Sequence, residues 1–169
     1  MRKQQQGVAT VEFAIVGALT LLLIFAVIEF GRLVFVWSSA TDAARRGVRV
    51  AVVCPVNDQA VRNVTVFNAA STAGASRLLS GMSTANVTVD YLDGGGNVLN
   101  CTGCNCDNSC GDAPYVSIRY VQVSINNYQH TLLLPPPFNV TLDMPPFTST
   151  LPRESLGVVP GVGTQCTFG

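Results

Sequence analysis

The sequence predicts an α+β protein: a long amino-terminal transmembrane helix that continues into an extracytoplasmic domain with a small antiparallel β-sheet. Three observations carry this reading. Residues 8–36 are almost continuously apolar. Small and apolar residues then recur at helical spacing as far as residue 53. Beyond residue 86 the pattern changes to alternation of apolar and polar residues, the period of a half-buried strand.

The first element starts from FAIVGALTLLLIFAVI (13–28), which has no charged residue. A bilayer core takes about 20 apolar residues as a helix, and the predicted span covers about residues 13–36. Glu12, Glu29 and Arg32 lie near its two ends, and Trp37 follows where aromatic residues meet the lipid–water boundary. Arg2 and Lys3 resemble the basic head of a secretory signal. The apolar run, however, exceeds the roughly 7–15 residues of such a signal, and no clean small-residue cleavage site follows it.

The helix is expected to run on past the membrane. Ala40, Ala44, Gly47, Val48 and Ala51 lie on one helical face. Asp42 can pair with Arg45 or Arg46 on the polar side, and Glu29 with Arg32. Cys54-Pro55 ends the helix, because proline disfavours helix in the residue before it. A helix over 8–53 would be about 69 Å long, so its outer part must pack on something else.

Residues 57–79 suggest a second, amphipathic helix closed by Gly81. NVTVDYL (86–92) reads as a strand, Asp93-Gly94-Gly95-Gly96 as a turn, and 97–99 as its return. YVSIRYVQVSINNY (115–128) alternates throughout and is the clearest strand. TLLL (131–134) ends at Pro135-Pro136-Pro137, and FNVTLDM (138–144) gives a last strand. The sheet of three or four strands would pack on the outer part of the long helix. The glycines and prolines of 151–166 predict an irregular tail.

Composition excludes some functions. The net charge is 0 and charged residues make up 12%. That argues against a nucleic-acid partner, which demands a basic surface. No nucleophile motif or phosphate-binding glycine loop is present. His130, the single histidine, is read as a surface or strand-end residue, with no cysteine pattern or carboxylate at ligand spacing. No enzymatic activity and no cofactor are expected.

Six cysteines are present: Cys54, Cys101, Cys104, Cys106, Cys110 and Cys166. Four fall in CTGCNCDNSC (101–110). An even count in an exported domain favours disulfides. Four thiolates can also bind zinc, but this spacing is too compact for paired zinc knuckles. Redox chemistry is the third reading. A bridge from the cluster to Cys54 or Cys166 would tie the helix end or the tail to the sheet. Asn-Val-Thr matches a glycosylation sequon at 63–65, 86–88 and 139–141.

GVATVEF (7–13), the apolar run and IEFGRLVFVWSSATDAARRGVRVAVV (28–53) together resemble the TadE-like family, pilin-like proteins of the tight-adherence (Tad) branch of type IV pili. The resemblance covers roughly the first third of the chain. It implies a pilin-like architecture and a cut by a prepilin peptidase between Gly7 and Val8. The leader would be residues 1–7, the long helix 8–53 and the periplasmic α+β domain 54–169. Val8 would become the first residue, Glu12 the fifth and Phe13 the sixth. Loss of Arg2 and Lys3 from a chain of net charge 0 leaves about −2.

The resemblance also explains a carboxylate inside an apolar segment. Intramembrane charges are costly and usually have partners. In related pilins this glutamate pairs with the free amine of a neighbouring subunit, and that assembly role is carried to Glu12. If the family reading is right, the host is bacterial and the sequons are chance matches. Implied partners are the peptidase, other pilin-like subunits, the assembly platform and the membrane. The protein would sit in the bacterial inner membrane as a single pass, amino terminus cytoplasmic, and could enter the extracellular pilus. Its outer domain exceeds the very small major Tad pilins, which favours a minor pilin or pseudopilin. The alternative is a permanently anchored single-pass protein with a disulfide-bonded periplasmic binding domain.

Overall fold

The computed structural model describes residues 5–99, 117–133, 140–159 and 162–163. Its spine is helix α1, Gln5–Ala51, 47 residues and about 70 Å long. The last turn dissolves at Val52 and Val53, ahead of Cys54-Pro55. Two different environments divide this helix. From Val8 to Ile28 it touches almost nothing else among the described residues, and its apolar side chains stand exposed. From Val36 onward one face is covered: Val36, Ala40, Ala43, Ala44, Val48 and Ala51 are all buried. The face predicted from periodicity is the one that packs.

A four-stranded antiparallel sheet covers that face, in the order β2-β1-β3-β6. Its strands are β1 (Val87–Leu92), β2 (Val98–Leu99), β3 (Tyr120–Ile125) and β6 (Phe147–Pro152). Register aligns Val87, Val89 and Tyr91 with Ile125, Val123 and Val121. Those three residues of β3 align in turn with Phe147, Ser149 and Leu151. The aligned residues form the face toward α1, and Val121, Val123 and Ile125 are fully buried. The sheet runs along the helix. Phe147, at one end of β6, meets the Trp37 ring edge-on at 5.2 Å. Past its other end, the Leu156 and Gly157 amides donate to the Val52 and Val53 carbonyls at 3.0 and 2.8 Å. These bonds satisfy carbonyls that a helix end leaves open.

The β1–β2 turn forms as expected. The Asp93 carboxylate accepts from the Gly95 and Asn97 amides at 2.8 and 2.9 Å, and the Asn97 side-chain amide holds its pKa below the usual carboxylate value.

The second helix is much shorter than predicted. α2 spans Gln59–Thr65, 7 residues, capped by the Asp58 side chain on the Ala60 amide. Beyond it Phe67 takes φ +61°, which a continuing helix cannot accommodate. The Asn63 and Asn68 side-chain amides donate to Ala70 and Ala75 carbonyls at 2.6 and 3.1 Å. These bonds hold the following segment as turns, overriding its alanine-rich composition. Gly81 lies in those turns with φ +81° and closes no helix. Asn63 is 3% exposed, which bars a glycan at that sequon.

The strand predicted over 115–128 is also shorter. Residues 115–116 lie outside the described residues, and β3 ends at Ile125 because Asn127 reverses the chain with φ +54°. The segments predicted at 131–134 and 138–144 form β4 (Gln129–Thr131) and β5 (Thr141–Asp143). They pair as a separate hairpin instead of joining the sheet. The fourth strand of the sheet is β6, which the sequence reading missed. Pro145, Pro146 and Pro152 mask it, and proline is tolerated there because β6 is an edge. In the predicted irregular tail, β7 (Val158–Val159) and β8 (Val162–Gly163) make a small hairpin.

Gly157 has φ +81°, and a Cβ there would lie 2.6–2.8 Å from the Pro55 ring and nitrogen. Gly157→Ala should therefore destabilise the domain by about 2–3 kcal/mol, from left-handed backbone plus overpacking. A urea titration followed by Trp37 fluorescence measures this; an unchanged midpoint would contradict the geometry.

Candidate functional site

The segment singled out in the sequence lies on the bare half of α1. Gly7, Val8, Glu12 and Phe13 are all helical and exposed, with Phe13 80% accessible. Gly7, Val8, Val11, Glu12 and Ile15 line a shallow, open and mainly apolar groove along one side of the helix. Nothing lies within 4 Å of the position a Gly7 Cβ would take. No ion pair among the described residues includes Glu12. The helix is long and apolar enough to cross a membrane, and its most apolar window is 0% buried. So the fold presents a carboxylate and a bulky aromatic on an uncovered apolar rod. Any partner for Glu12 must come from outside the described residues.

A second polar cluster marks where the bare half ends. The Arg32 guanidinium donates to both Glu29 carboxylate oxygens at 3.1 and 3.0 Å, the local pairing expected. The Leu133 amide adds a hydrogen bond to Glu29 Oε2 at 3.3 Å. His130 Nε2 lies 3.4 Å from Glu29 Oε1 but makes no aligned hydrogen bond. His130 is 3% exposed, which corrects its reading as a surface or strand-end residue. It is the central residue of β4, and the hairpin lays it against α1. The neighbouring carboxylate was hidden from sequence because contacts here join residues 104 apart. Further out, Asp42 approaches Arg45 at 3.8 Å, while Arg46 sits over the Phe67 ring at 5.9 Å.

Cys54 is fully buried at the end of α1 and is disulfide-bonded. Cys101, Cys104, Cys106, Cys110 and Cys166 lie outside the described residues. Among the described residues no group of three or more His, Cys, Asp or Glu side chains could hold a metal ion.

No curated protein and no solved structure matches this chain. The helix itself gives a match, over about a quarter of the sequence, and it begins at Gly7 and ends where the outer turns of α1 are packed under the sheet. The family whose model matches residues 7–49 is that of the TadE-like proteins.

Proposed function

We propose that this protein is a non-enzymatic, pilin-like subunit of a Tad-type pilus, stored in the inner membrane and cut between Gly7 and Val8 by a prepilin peptidase. The observation that carries the reading is the coincidence of the family match, residues 7–49, with a helix whose amino-terminal half is bare. The outer domain is anchored entirely on the other half. Such a helix is free to exchange lipid for neighbouring helices. Heterologous contacts of that kind, repeated without closure, generate helical filaments.

The bare stretch fits a bilayer. Residues 8–28 make about 32 Å of helix, against a hydrocarbon core of about 30 Å. From Glu29 onward the helix is engaged by the domain, so the bilayer segment is taken as 8–28 instead of 13–36. On this reading Glu12 lies four residues beyond the new amino terminus. Its partner is the Val8 amine of an adjacent subunit, which neutralises a charge that would be costly alone. The periplasm supplies the oxidising compartment that cysteine pairing in the outer domain requires. The size of the outer domain favours a minor pilin or pseudopilin, and surface adhesion is the role of the assembled fibre.

Amino-terminal sequencing and intact mass of the chain from its native membranes test this. The expected start is Val8, and Gly7→Leu should retain the leader. Glu12→Ala should still be processed but should be depleted from sheared pili. A Met1 or Arg2 start with the peptidase present would instead favour a permanent anchor carrying a disulfide-bonded binding domain.

A further inference from the structure

Outside α1, six large apolar side chains stand exposed among the described residues, and three of them belong to the β4–β5 hairpin and its end: Leu133, Val140 and Leu142. Leu133 is 68% accessible, and Val140 and Leu142 are each 44% accessible. Between residues 131 and 142 the sequence has no charged side chain. Water is a poor environment for such a surface, and its position in the fold indicates what replaces water.

Contacts along α1 fix that position. The main sheet reaches its lower limit where Phe147 meets Trp37. The hairpin lies further toward the amino terminus, where the Leu133 amide bonds Glu29. Eight residues of helix separate the two levels, about 12 Å. Glu29 is also where the bare apolar half of α1 begins. The exposed apolar residues of the hairpin are therefore continuous with the lipid-facing surface of the helix. By contrast Val98 and Tyr120, two other exposed apolar residues, flank Leu92 in register at the opposite end of the sheet.

We infer that Leu133, Val140 and Leu142 of the β4–β5 hairpin enter the boundary between headgroups and acyl chains, as a second membrane contact beside the helix. The inference rests on the membrane reading of α1. The hairpin is suited to that depth. Its outermost described rung is closed by the Leu132 amide on the Val140 carbonyl at 3.0 Å, and a closed rung leaves fewer unpaired backbone groups for lipid to desolvate. Glu29 accepts the Leu133 amide next to it, so this donor is also satisfied. With no charge among residues 131–133 and 140–142, the attraction is apolar and does not depend on anionic lipid. Two contacts, helix and hairpin, fix the tilt and depth of the outer domain where one helix alone would let it swivel. Extraction of the subunit from the bilayer must then withdraw the hairpin as well.

Single-tryptophan chains reconstituted into phosphatidylcholine bilayers test this, each full length and carrying Trp37→Phe. Leu133→Trp probes the hairpin, Val140→Trp repeats the test on the opposite strand, Ile24→Trp marks the helix, and Val98→Trp marks the far end of the sheet. Lipids brominated at shallow or deep acyl positions are the quenchers. The expected result is that L133W and V140W emission is quenched most by shallow bromines, I24W by deeper ones and V98W by neither. Quenching of I24W without L133W or V140W would overturn the hairpin contact while leaving the membrane helix in place. Loss of I24W quenching would overturn the membrane reading and the hairpin with it. Blue-shifted L133W emission that follows protein concentration, unquenched by any bromolipid, would assign the surface to a second copy of the chain and also overturn the inference.

Discussion

Cys54→Ala should lower the stability of the outer domain by about 2–5 kcal/mol, the range for losing a native disulfide from a small exported domain. Cys54 is placed where a cross-link has most to hold. It is fully buried immediately after the last turn of α1. The neighbouring Val52 and Val53 carbonyls are occupied by Leu156 and Gly157 amides, so two segments about 100 residues apart in sequence converge at this point. Removing the bond frees a long loop in the unfolded chain and leaves a void in the folded one, and both effects act in the same direction. Trp37 is the single tryptophan and packs on Phe147 of β6, so its fluorescence reports undocking of sheet from helix. Urea titration of the full chain in micelles should move to a lower midpoint. An unchanged midpoint would mean that the cross-link contributes nothing to holding the helix end.

The parts of the fold legible in the sequence were those with an unbroken local period. Ala40, Ala44, Val48 and Ala51 repeat at helical spacing, and they are buried as that spacing requires. The β1 strand and its Asp93 turn were equally plain, because the turn is built from its own side chain. The failures had long-range causes. The alanine-rich stretch after Thr65 has helical propensity, but Asn63 and Asn68 tie it into turns. β6 was hidden behind Pro145 and Pro146, residues that only an edge position tolerates. The cluster around Glu29 could not be seen either, since its members come together only once the hairpin docks. Gly7 and Glu12 differ from all of these. They were legible as a motif, yet they are exposed on a single helix, so the roles proposed for them depend on molecules outside this chain.

Gly47→Leu should cost about 3 kcal/mol, the upper part of the usual range for overpacking. At Gly47 the outer half of α1 packs directly against Thr65 of α2. A Cβ there would run into Thr65 Oγ1 and would lie 3.1 Å from both Thr65 Cβ and Cγ2. Thr65 cannot easily give way, because it is fully buried and its hydroxyl donates to the Val61 carbonyl at 2.7 Å. Glycine inside a helix sacrifices roughly 1 kcal/mol of propensity relative to alanine, so close approach of the two helices is what this position gains in exchange. A smaller pair of changes separates these terms. Gly47→Ala alone should destabilise, since the clash exceeds the propensity gain. Thr65→Ala on top of it removes Oγ1 and Cγ2, leaving only the Cβ contact. The double variant should then be more stable than the two single effects add up to, by about 1–2 kcal/mol of coupling. Strict additivity in the Trp37-monitored urea titrations would show that the two residues do not meet, and the packing of α2 on the helix would have to be redrawn.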